Sequence, residues 1–371
     1  MRLAPGGRQA GAAVAASVLA TGLVAAALTG CGGHAKPKAS KPPVRSTTST
    51  TVHKARPHKK RKHALVAHAP VCPLTGLTPK DGKVPQRAAV AVKVENLPQA
   101  RPQYGLDQAD IVFEEPVEGG ITRFIAVYQC QSAARIEPVR SARLVDAQIL
   151  EPLGHLLFAY SGAIQAVIDE VDSPGSLLDD VGGNQAPNAY WRDPTRYAPH
   201  NLETSTAALY SAANTLHYPE NPPTPIFTYG PMAKGATPAS KVSIDYPLDV
   251  TTWTWHPHAR RWYRFYSDTG LAMQGDNVQI SAANVVVMMV DEYPTQYVED
   301  ANGAYENELV LTGHGPAWVF RDGAQYYGKW VRPSLSQPAY FVETDGTRVT
   351  LSPGNTWVEL VPDGRQLSVR P

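Results

Sequence analysis

The sequence predicts an α/β N-terminal domain followed by a mainly antiparallel β C-terminal domain. Three observations predict this fold. Short apolar runs alternate with amphipathic stretches between residues 88 and 216, a proline-rich segment covers residues 218–225, and closely spaced strand patterns with Asp-Gly and Pro-Gly turns follow it. The domain boundary is therefore placed in the proline-rich segment, which gives an α/β domain over residues 72–222 and a β domain over residues 223–371.

The strands of the α/β domain are predicted from apolar runs bounded by glycine, proline or charged residues. The run at 121–129 is apolar on both faces, which favours a central position in the sheet. The predicted strands cover residues 88–95, 109–115, 121–129 and 155–160.

Three helices are predicted between and after these strands. Ser141 is a suitable N-cap for a helix that reaches Leu150. A second helix is predicted from the spacing i, i+3, i+4, i+7 of apolar residues over 164–171, and a third from the same spacing over 209–216.

The second domain is predicted to be mainly antiparallel because its strand patterns are joined by hairpin turn residues. These turn residues lie at 268–270, 322–323, 345–346 and 353–354. The predicted strands cover residues 253–255, 262–266, 284–290, 308–312, 318–321, 340–343, 348–351 and 357–361.

Charge is distributed unevenly along the chain. Residues 1–71 carry 12 Lys or Arg and no Asp or Glu, although the formal net charge of all 371 residues is only +1. Residues 72–371 therefore hold 22 basic and 33 acidic side chains. A globular part with this acidic excess argues against nucleic-acid binding.

The first 30 residues are typical of an export signal. Arg2 and Arg8 precede an apolar run over residues 10–28, and the run ends in Leu-Thr-Gly-Cys. This ending resembles the lipobox of bacterial lipoproteins, which implies that Cys31 carries acyl chains such as palmitate and is the lipid anchor. The alternative is a simple membrane-spanning anchor, since the run could just cross a bilayer. We expect a lipid-anchored protein on the extracytoplasmic face of the cell membrane.

Residues 31–71 predict a disordered basic tether. They contain several prolines, a run of Ser and Thr, and ten Lys or Arg, with no periodic apolar face that could be buried. The tether either contacts anionic lipid headgroups or serves only as a solvated spacer. Its interleaved histidines lack regular ligand spacing, so we expect no metal there.

Cys72 and Cys130 are the two cysteines that remain once Cys31 is acylated. An even pair in an oxidising compartment predicts a Cys72–Cys130 disulfide.

The candidate binding site is a group of arginines in an otherwise acidic domain. Arg123, Arg135, Arg140 and Arg143 fall within 21 residues, and the last two flank the predicted start of a helix. Guanidinium groups beside unpaired N–H groups can hold phosphate, pyrophosphate or carboxylate. The alternative is that these arginines form structural ion pairs with nearby acids, namely Glu114, Glu115, Glu118, Glu137 and Asp146.

Two neighbouring segments strengthen the binding hypothesis. Gly119 and Gly120 follow Glu118, where the backbone could approach a ligand, although a plain hairpin turn explains the same glycines. The segment 190–201 brings aromatic, cationic and amide groups, including His200 and Asn201, into one loop. Such a loop suits a sugar or a prenyl phosphate, and it equally suits a domain interface.

The sequence contains a set of recognisable motifs. They are Asn96-x4-Arg101-Pro-Gln, the segments 109–114 and 117–123, Pro-Val-Arg-Ser-Ala-Arg at 138–143, Ala-Pro-His-Asn at 198–201, and the segments 328–330 and 351–358. Together they resemble the motifs of the YerB-like bacterial lipoprotein family. The resemblance covers nearly all of residues 73–365 and implies a two-domain exported lipoprotein without indicating a reaction. Asn96 and Arg101 join the candidate ligand-binding residues from the first of these motifs.

We expect a cell-envelope protein that binds an anionic, phosphorylated lipid or wall precursor. In this hypothesis Arg140 and Arg143 clamp the anion, Arg123 and Glu118 form the floor, and His200 and Asn201 orient polar groups of the ligand. No cofactor is expected.

One alternative is an enzyme that acts on pyrophosphate-linked envelope glycans, with Glu118 or Asp110 as base or metal ligand and Mg²⁺ bound by pyrophosphate. Another is an interaction scaffold. Standard nucleophile, P-loop and zinc-protease motifs are missing from the sequence.

Overall fold

The computed structural model describes residues 69–299 and 302–371. The predicted signal peptide, the Cys31 anchor and the tether up to residue 68 lie outside this part of the chain. No helix among the described residues is long and apolar enough to cross a membrane.

The N-terminal half of the described chain mixes strands and helices, as predicted. Its elements are β1 (Ala89–Glu95), β2 (Ile111–Pro116), β3 (Thr122–Tyr128), α1 (Leu144–Leu150), β4 (Leu156–Ala159), α2 (Gln165–Val171), β5 (Leu178–Asp180), β6 (Trp191–Arg192), β7 (Leu202–Glu203) and α3 (Thr206–Leu216).

The C-terminal half contains strands and is mostly antiparallel, which confirms the predicted fold class. Its elements are β8 (Thr237–Pro238), β9 (Lys241–Asp245), β10 (Val250–His256), β11 (Arg261–Tyr266), β12 (Gly270–Leu271), β13 (Ser281–Ala282), β14 (Asn284–Val290), β15 (Glu292–Val298), β16 (Tyr305–Leu309), β17 (Gly313–Arg321), β18 (Ala324–Arg332), β19 (Tyr340–Glu343), β20 (Arg348–Val349), β21 (Thr356–Pro362) and β22 (Leu367–Arg370).

A twelve-stranded sheet runs through both halves. Its order is β20-β19-β18-β17-β14-β21-β2-β3-β1-β4-β5, and β8 pairs with β18. The two halves join where β2 lies parallel to β21, with Val112 opposite Trp357. Strands from both predicted domains therefore share one sheet.

A six-stranded sheet covers one face of this central sheet. Its order is β12-β11-β10-β9-β22, and β13 pairs with β11. Trp357 of the central sheet makes edge-to-face contacts with Phe124 and with Trp253 of the smaller sheet, at ring distances of 5.2 Å in both cases. Leu209 of α3 belongs to the same buried cluster.

Helices α1 and α2 pack on the opposite face of the central sheet. Ile149 of α1 and Val167 of α2 belong to one buried cluster with Ile125 of β3. Helix α1 begins at Leu144, so the predicted N-cap at Ser141 is wrong and Arg143 holds that position. Residues 140–142 stay extended because their backbone bonds to β1 and to the segment after β4, through Arg140 N to Lys93 O, Ser161 N to Arg140 O and Ala142 N to Gly162 O.

Strands β15 and β16 form a hairpin that is separate from both sheets. We call it the β-arm. Much of its surface is exposed, including Tyr293, Val298 and Tyr305. Its first strand lies outside the strands predicted from the sequence.

The disulfide between Cys72 and Cys130 is present, with Cα atoms 6.0 Å apart and a separation of 58 positions along the chain. It ties the beginning of the described chain to the end of β3. Closing a loop of this length stabilises a fold by about 4 kcal/mol.

Candidate functional site

A cluster of charged side chains covers one end of the central sheet, on the face that also carries α1. Alternate residues of a strand share a face, and Glu95 of β1, Arg123 of β3 and Glu115 of β2 lie opposite one another across the three strands. We define the charged cluster by its eight members, which are Lys93, Glu95, Glu115, Glu118, Arg123, Arg140, Arg143 and Asp146.

Lys93 lies at the buried end of this cluster. Its Nζ contacts Glu115 and lies 2.6 Å from Oδ1 of Asp146, and its side chain is fully buried. Burial lowers the pKa of Lys93 to about 8, although Asp146 opposes the shift. Asp146 also accepts a hydrogen bond from the Arg143 backbone N–H at 2.7 Å. These contacts fasten α1 to β1 and β2.

Glu118 is shared by two arginines. Arg143 donates from Nε to Glu118 Oε2 at 2.7 Å and also contacts the other carboxylate oxygen through Nη2. Nη2 of Arg123 lies 3.5 Å from Glu118, and its Nη1 donates to the Ser141 carbonyl at 3.1 Å. Burial would raise the pKa of Glu118, but the two arginines outweigh burial and hold it below the usual range.

The turn that presents Glu118 requires glycine. Gly119 and Gly120 have φ angles of +73° and +76°, a region that other L-residues rarely adopt. A Cβ on Gly120 would also lie 2.9 Å from Cβ of Pro247, so the backbone here approaches the smaller sheet closely. A tight turn that packs against Pro247 therefore accounts for the two glycines.

Arg140 and His200 meet at the exposed end of the cluster. Nε of Arg140 lies 3.3 Å from Glu95 Oε1, and Nδ1 of His200 lies 2.9 Å from Glu95 Oε2. Glu95 is buried, whereas the side chains of Arg140 and His200 are 22% and 23% exposed. Among the described residues Arg140 has no second ion pair. Its guanidinium is thus the least engaged of the three arginines in the cluster.

The loop between β6 and β7 contains His200. Asn201 holds the loop together because its Nδ2 donates to the carbonyls of Asp193 and Arg196, both at 3.1 Å, and its Oδ1 accepts from Arg192 at 2.7 Å. Tyr197 is 90% exposed at the tip of the loop. Asn201 therefore shapes the loop.

Asn96 and Arg101 lie apart from the charged cluster. Asn96 donates to Glu114, which points to the opposite face of β2 from Glu115. Arg101 pairs with Asp249 at 2.6 Å and with Asp268 at 2.8 Å. They line a cleft of about 300 Å³ beside the smaller sheet.

Arg135 also lies outside the cluster. Its guanidinium forms ion pairs with Glu137, Asp193 and Glu203 and covers the ring of Tyr104.

Comparison with known proteins identifies the family. Two family models, "Protein of unknown function (DUF3048) N-terminal domain" and its C-terminal counterpart, match residues 74–219 and 242–358. "Putative lipoprotein YerB" of Bacillus subtilis (strain 168) is 30% identical over 295 residues, which cover 78% of this chain and 86% of that protein. The chain belongs to the YerB-like lipoprotein family.

The crystal structure of YerB protein from Bacillus subtilis has a similar fold, with a TM-score of 0.68 and 27% identity. The similarity covers 80% of this chain and 99% of that structure. The two family models leave residues 220–241 between them, and the predicted domain boundary falls in this interval.

In this YerB-like lipoprotein, five of the eight predicted ligand-binding residues gather at one place, namely Glu118, Arg123, Arg140, Arg143 and His200. Sequence reasoning missed Lys93 and Glu95, although both interrupt an otherwise apolar strand. It also missed Glu299, whose Oε1 lies 2.8 Å from Arg143 Nη1. No local pattern links Glu299 to Arg143.

The residues considered for a metal-assisted reaction do not come together. Asp110 precedes β2, where it accepts hydrogen bonds from the backbone of Gln129 and Cys130, whereas Glu118 follows the other end of β2. The described residues contain no group of three His, Cys, Asp or Glu placed to hold a metal ion. Asp110 and Glu118 therefore cannot share one ion in this arrangement.

Proposed function

We propose that this YerB-like lipoprotein binds a phosphorylated envelope glycan at the extracytoplasmic face of the cell membrane, with the phosphate at Arg140 and His200. The observation that carries the proposal is the partial exposure of both side chains at one buried carboxylate, Glu95. Glu95 lies beside both side chains, and the outer part of the Arg140 guanidinium is left for a guest.

Arginine suits this role because its planar fork can donate to two phosphate oxygens at once. His200, on the same carboxylate, offers a second polar contact. A phosphate bound here would therefore gain a charge-assisted contact from Arg140.

Arg123 and Arg143 act from beneath this site. Both are buried and paired with Glu118, so in this arrangement they do not contact the phosphate at Arg140 directly. The cluster holds four cations, Lys93 included, and four carboxylates. Cations and carboxylates thus balance in the cluster, and the partly exposed guanidinium of Arg140 supplies the attraction for an anionic guest.

Strand β6 and the loop that contains His200 support a glycan as the carrier of the phosphate. Trp191 of β6 and Tyr197 of the loop are exposed, with 41% and 90% of their surfaces accessible. Exposed aromatic rings beside charged donors suit the apolar faces and hydroxyl groups of sugars. A lipid-linked glycan phosphate would also be close at hand for a protein anchored in the membrane.

Titration calorimetry of the full chain in detergent with N-acetylglucosamine 1-phosphate tests this function. The Arg140→Ala variant should bind at least about tenfold more weakly, since it loses a charge-assisted contact. Arg260→Ala is the matched control, because the side chain of Arg260 is 74% exposed and its one ion pair within the described part of the chain is with Asp322. Equal binding by both variants, or no binding by the wild type, would refute the proposal.

A further inference from the structure

The β-arm lies against the charged cluster through two acidic residues. Glu299, directly after β15, pairs with Arg143 at 2.8 Å, and Glu306 of β16 accepts a hydrogen bond from the Leu144 N–H at 2.6 Å. Arg143 thus has carboxylates on both sides, with Glu118 on one side and Glu299 on the other. The second carboxylate comes from a hairpin that pairs with neither sheet.

Neither Glu299 nor Glu306 has both carboxylate oxygens satisfied. Oε2 of Glu299 and Oε2 of Glu306 are buried without a hydrogen-bond partner. Burial raises the pKa of Glu299 to about 7 and also raises the pKa of Glu306. A buried charge with one free oxygen is costly, so these contacts are weaker than the two-point contact between Arg143 and Glu118.

The charges of the cluster show what could replace the β-arm. The eight cluster members carry four positive and four negative charges, and Glu299 and Glu306 add two negative charges when ionised. A ligand group with two negative charges can displace both carboxylates without changing the total charge around the cluster. It would also supply more acceptor oxygens than Glu299, which offers Arg143 one oxygen.

Arg123 connects this position to the site proposed above. It lies opposite Glu95, the partner of Arg140, and shares Glu118 with Arg143. The two positions therefore belong to one continuous cluster.

We infer that Glu299 occupies a second anion subsite at Nη1 of Arg143, and that the ligand carries a diphosphate whose second phosphate takes this position when the β-arm moves away. This inference rests on the proposed function, because the first phosphate is the one placed at Arg140 and His200. It narrows the ligand class from a glycan monophosphate to a diphosphate-linked glycan.

The test compares inorganic phosphate with inorganic pyrophosphate, using ³¹P NMR titrations of the full chain. Glu299→Ala should tighten pyrophosphate binding by about tenfold and leave phosphate binding unchanged, because only pyrophosphate reaches Arg143. Glu308→Ala removes an exposed carboxylate of the same β-arm and should change neither affinity. Pyrophosphate alone should also speed hydrogen exchange in Glu292–Val298.

Three outcomes overturn the inference. The first is unchanged pyrophosphate binding by Glu299→Ala. The second is equal tightening of both anions, which would indicate a general charge effect. In both cases the proposed function still holds if phosphate binds the wild type and binds Arg140→Ala more weakly. The third outcome, no binding of either anion by wild type or variants, removes the proposed function together with the inference.

Discussion

Arg264 of the smaller sheet donates from Nη2 to Oε2 of Glu114 in the central sheet at 2.6 Å, and both side chains are buried. Nη1 of Arg264 also donates to Glu359 at 3.0 Å. Glu114 and Glu359 lie opposite each other on the parallel strands β2 and β21. One guanidinium thus joins the two sheets at the strand pair that connects the halves of the chain.

Arg264→Met should destabilise the fold by about 3–5 kcal/mol, since it leaves two buried carboxylates without their cation. Urea unfolding followed by tryptophan fluorescence measures the change. Arg348→Met is the matched control, because Arg348 is exposed and stacks on Tyr340 at the edge of the sheet. The explanation would be wrong if the two variants unfolded at the same urea concentration.

Lys93 allows a prediction with a defined pH range. Its pKa is lowered from 10.5 to about 8 in the fold, chiefly by burial. Between these values the unfolded chain binds more protons than the folded chain, so the free energy of unfolding rises with pH. Relative to Lys93→Met, the wild type should therefore gain stability from pH 8 to 10.5.

Chemical unfolding of the wild type and of Lys93→Met at several pH values across this range measures the difference. Parallel pH profiles for the two proteins would contradict the assignment of the titration to Lys93.

Much of the fold can be predicted from local sequence patterns. Apolar alternation and turn residues predict most strands, and helical spacing predicts α2 and α3. The shared central sheet is not predictable in this way, because Val112 and Trp357 pair across 245 residues of sequence and neither strand carries a signal for its partner. The β15 strand was missed because Pro294 and exposed polar residues give it no apolar run.

The basic residues of the candidate site could be predicted from the sequence, whereas most of their carboxylate partners could not. Arginine spacing indicated Arg123, Arg140 and Arg143, since they fall close together in an acidic domain. Their partners come from separate elements, with Glu95 on β1, Glu118 on a turn and Glu299 after β15. Asn96 and Arg101 share a motif with the site residues, yet strand alternation sends Asn96 to the other face.

The lipid anchor can be tested directly at Cys31. We expect acyl chains on Cys31 to hold the protein in the bilayer, so Cys31→Ser should move it from the membrane fraction to the soluble fraction. Fractionation with a palmitate label measures both attachment and acylation. A variant that stays in the membrane without label would favour the spanning-anchor alternative.

Glu299 should make closure of the β-arm depend on pH. The groups that face its carboxylate are Arg143, Glu118, Glu306 and Arg123, and burial is the largest cause of its raised pKa of about 7. In an open β-arm the carboxyl returns towards its ordinary value of 4.5, so the closed form binds a proton more readily. Closure is therefore strongest below pH 4.5, weakens as the pH rises from 4.5 to about 7, and changes little above that range.

Hydrogen exchange of Glu292–Val298, corrected for the intrinsic pH dependence, should show more opening at pH 8 than at pH 6. Glu299→Gln cannot ionise and should flatten this difference, while amides of the buried strand β1 serve as the internal control. The same pH dependence in the variant would assign the titration to another group, with Glu306 the next carboxyl to test. If hydrogen exchange of the variant does not change with pH, the opening of the wild type is due to ionisation of Glu299. Burial disfavours the ionised carboxylate, so raising the pH would make the Arg143 subsite easier to reach.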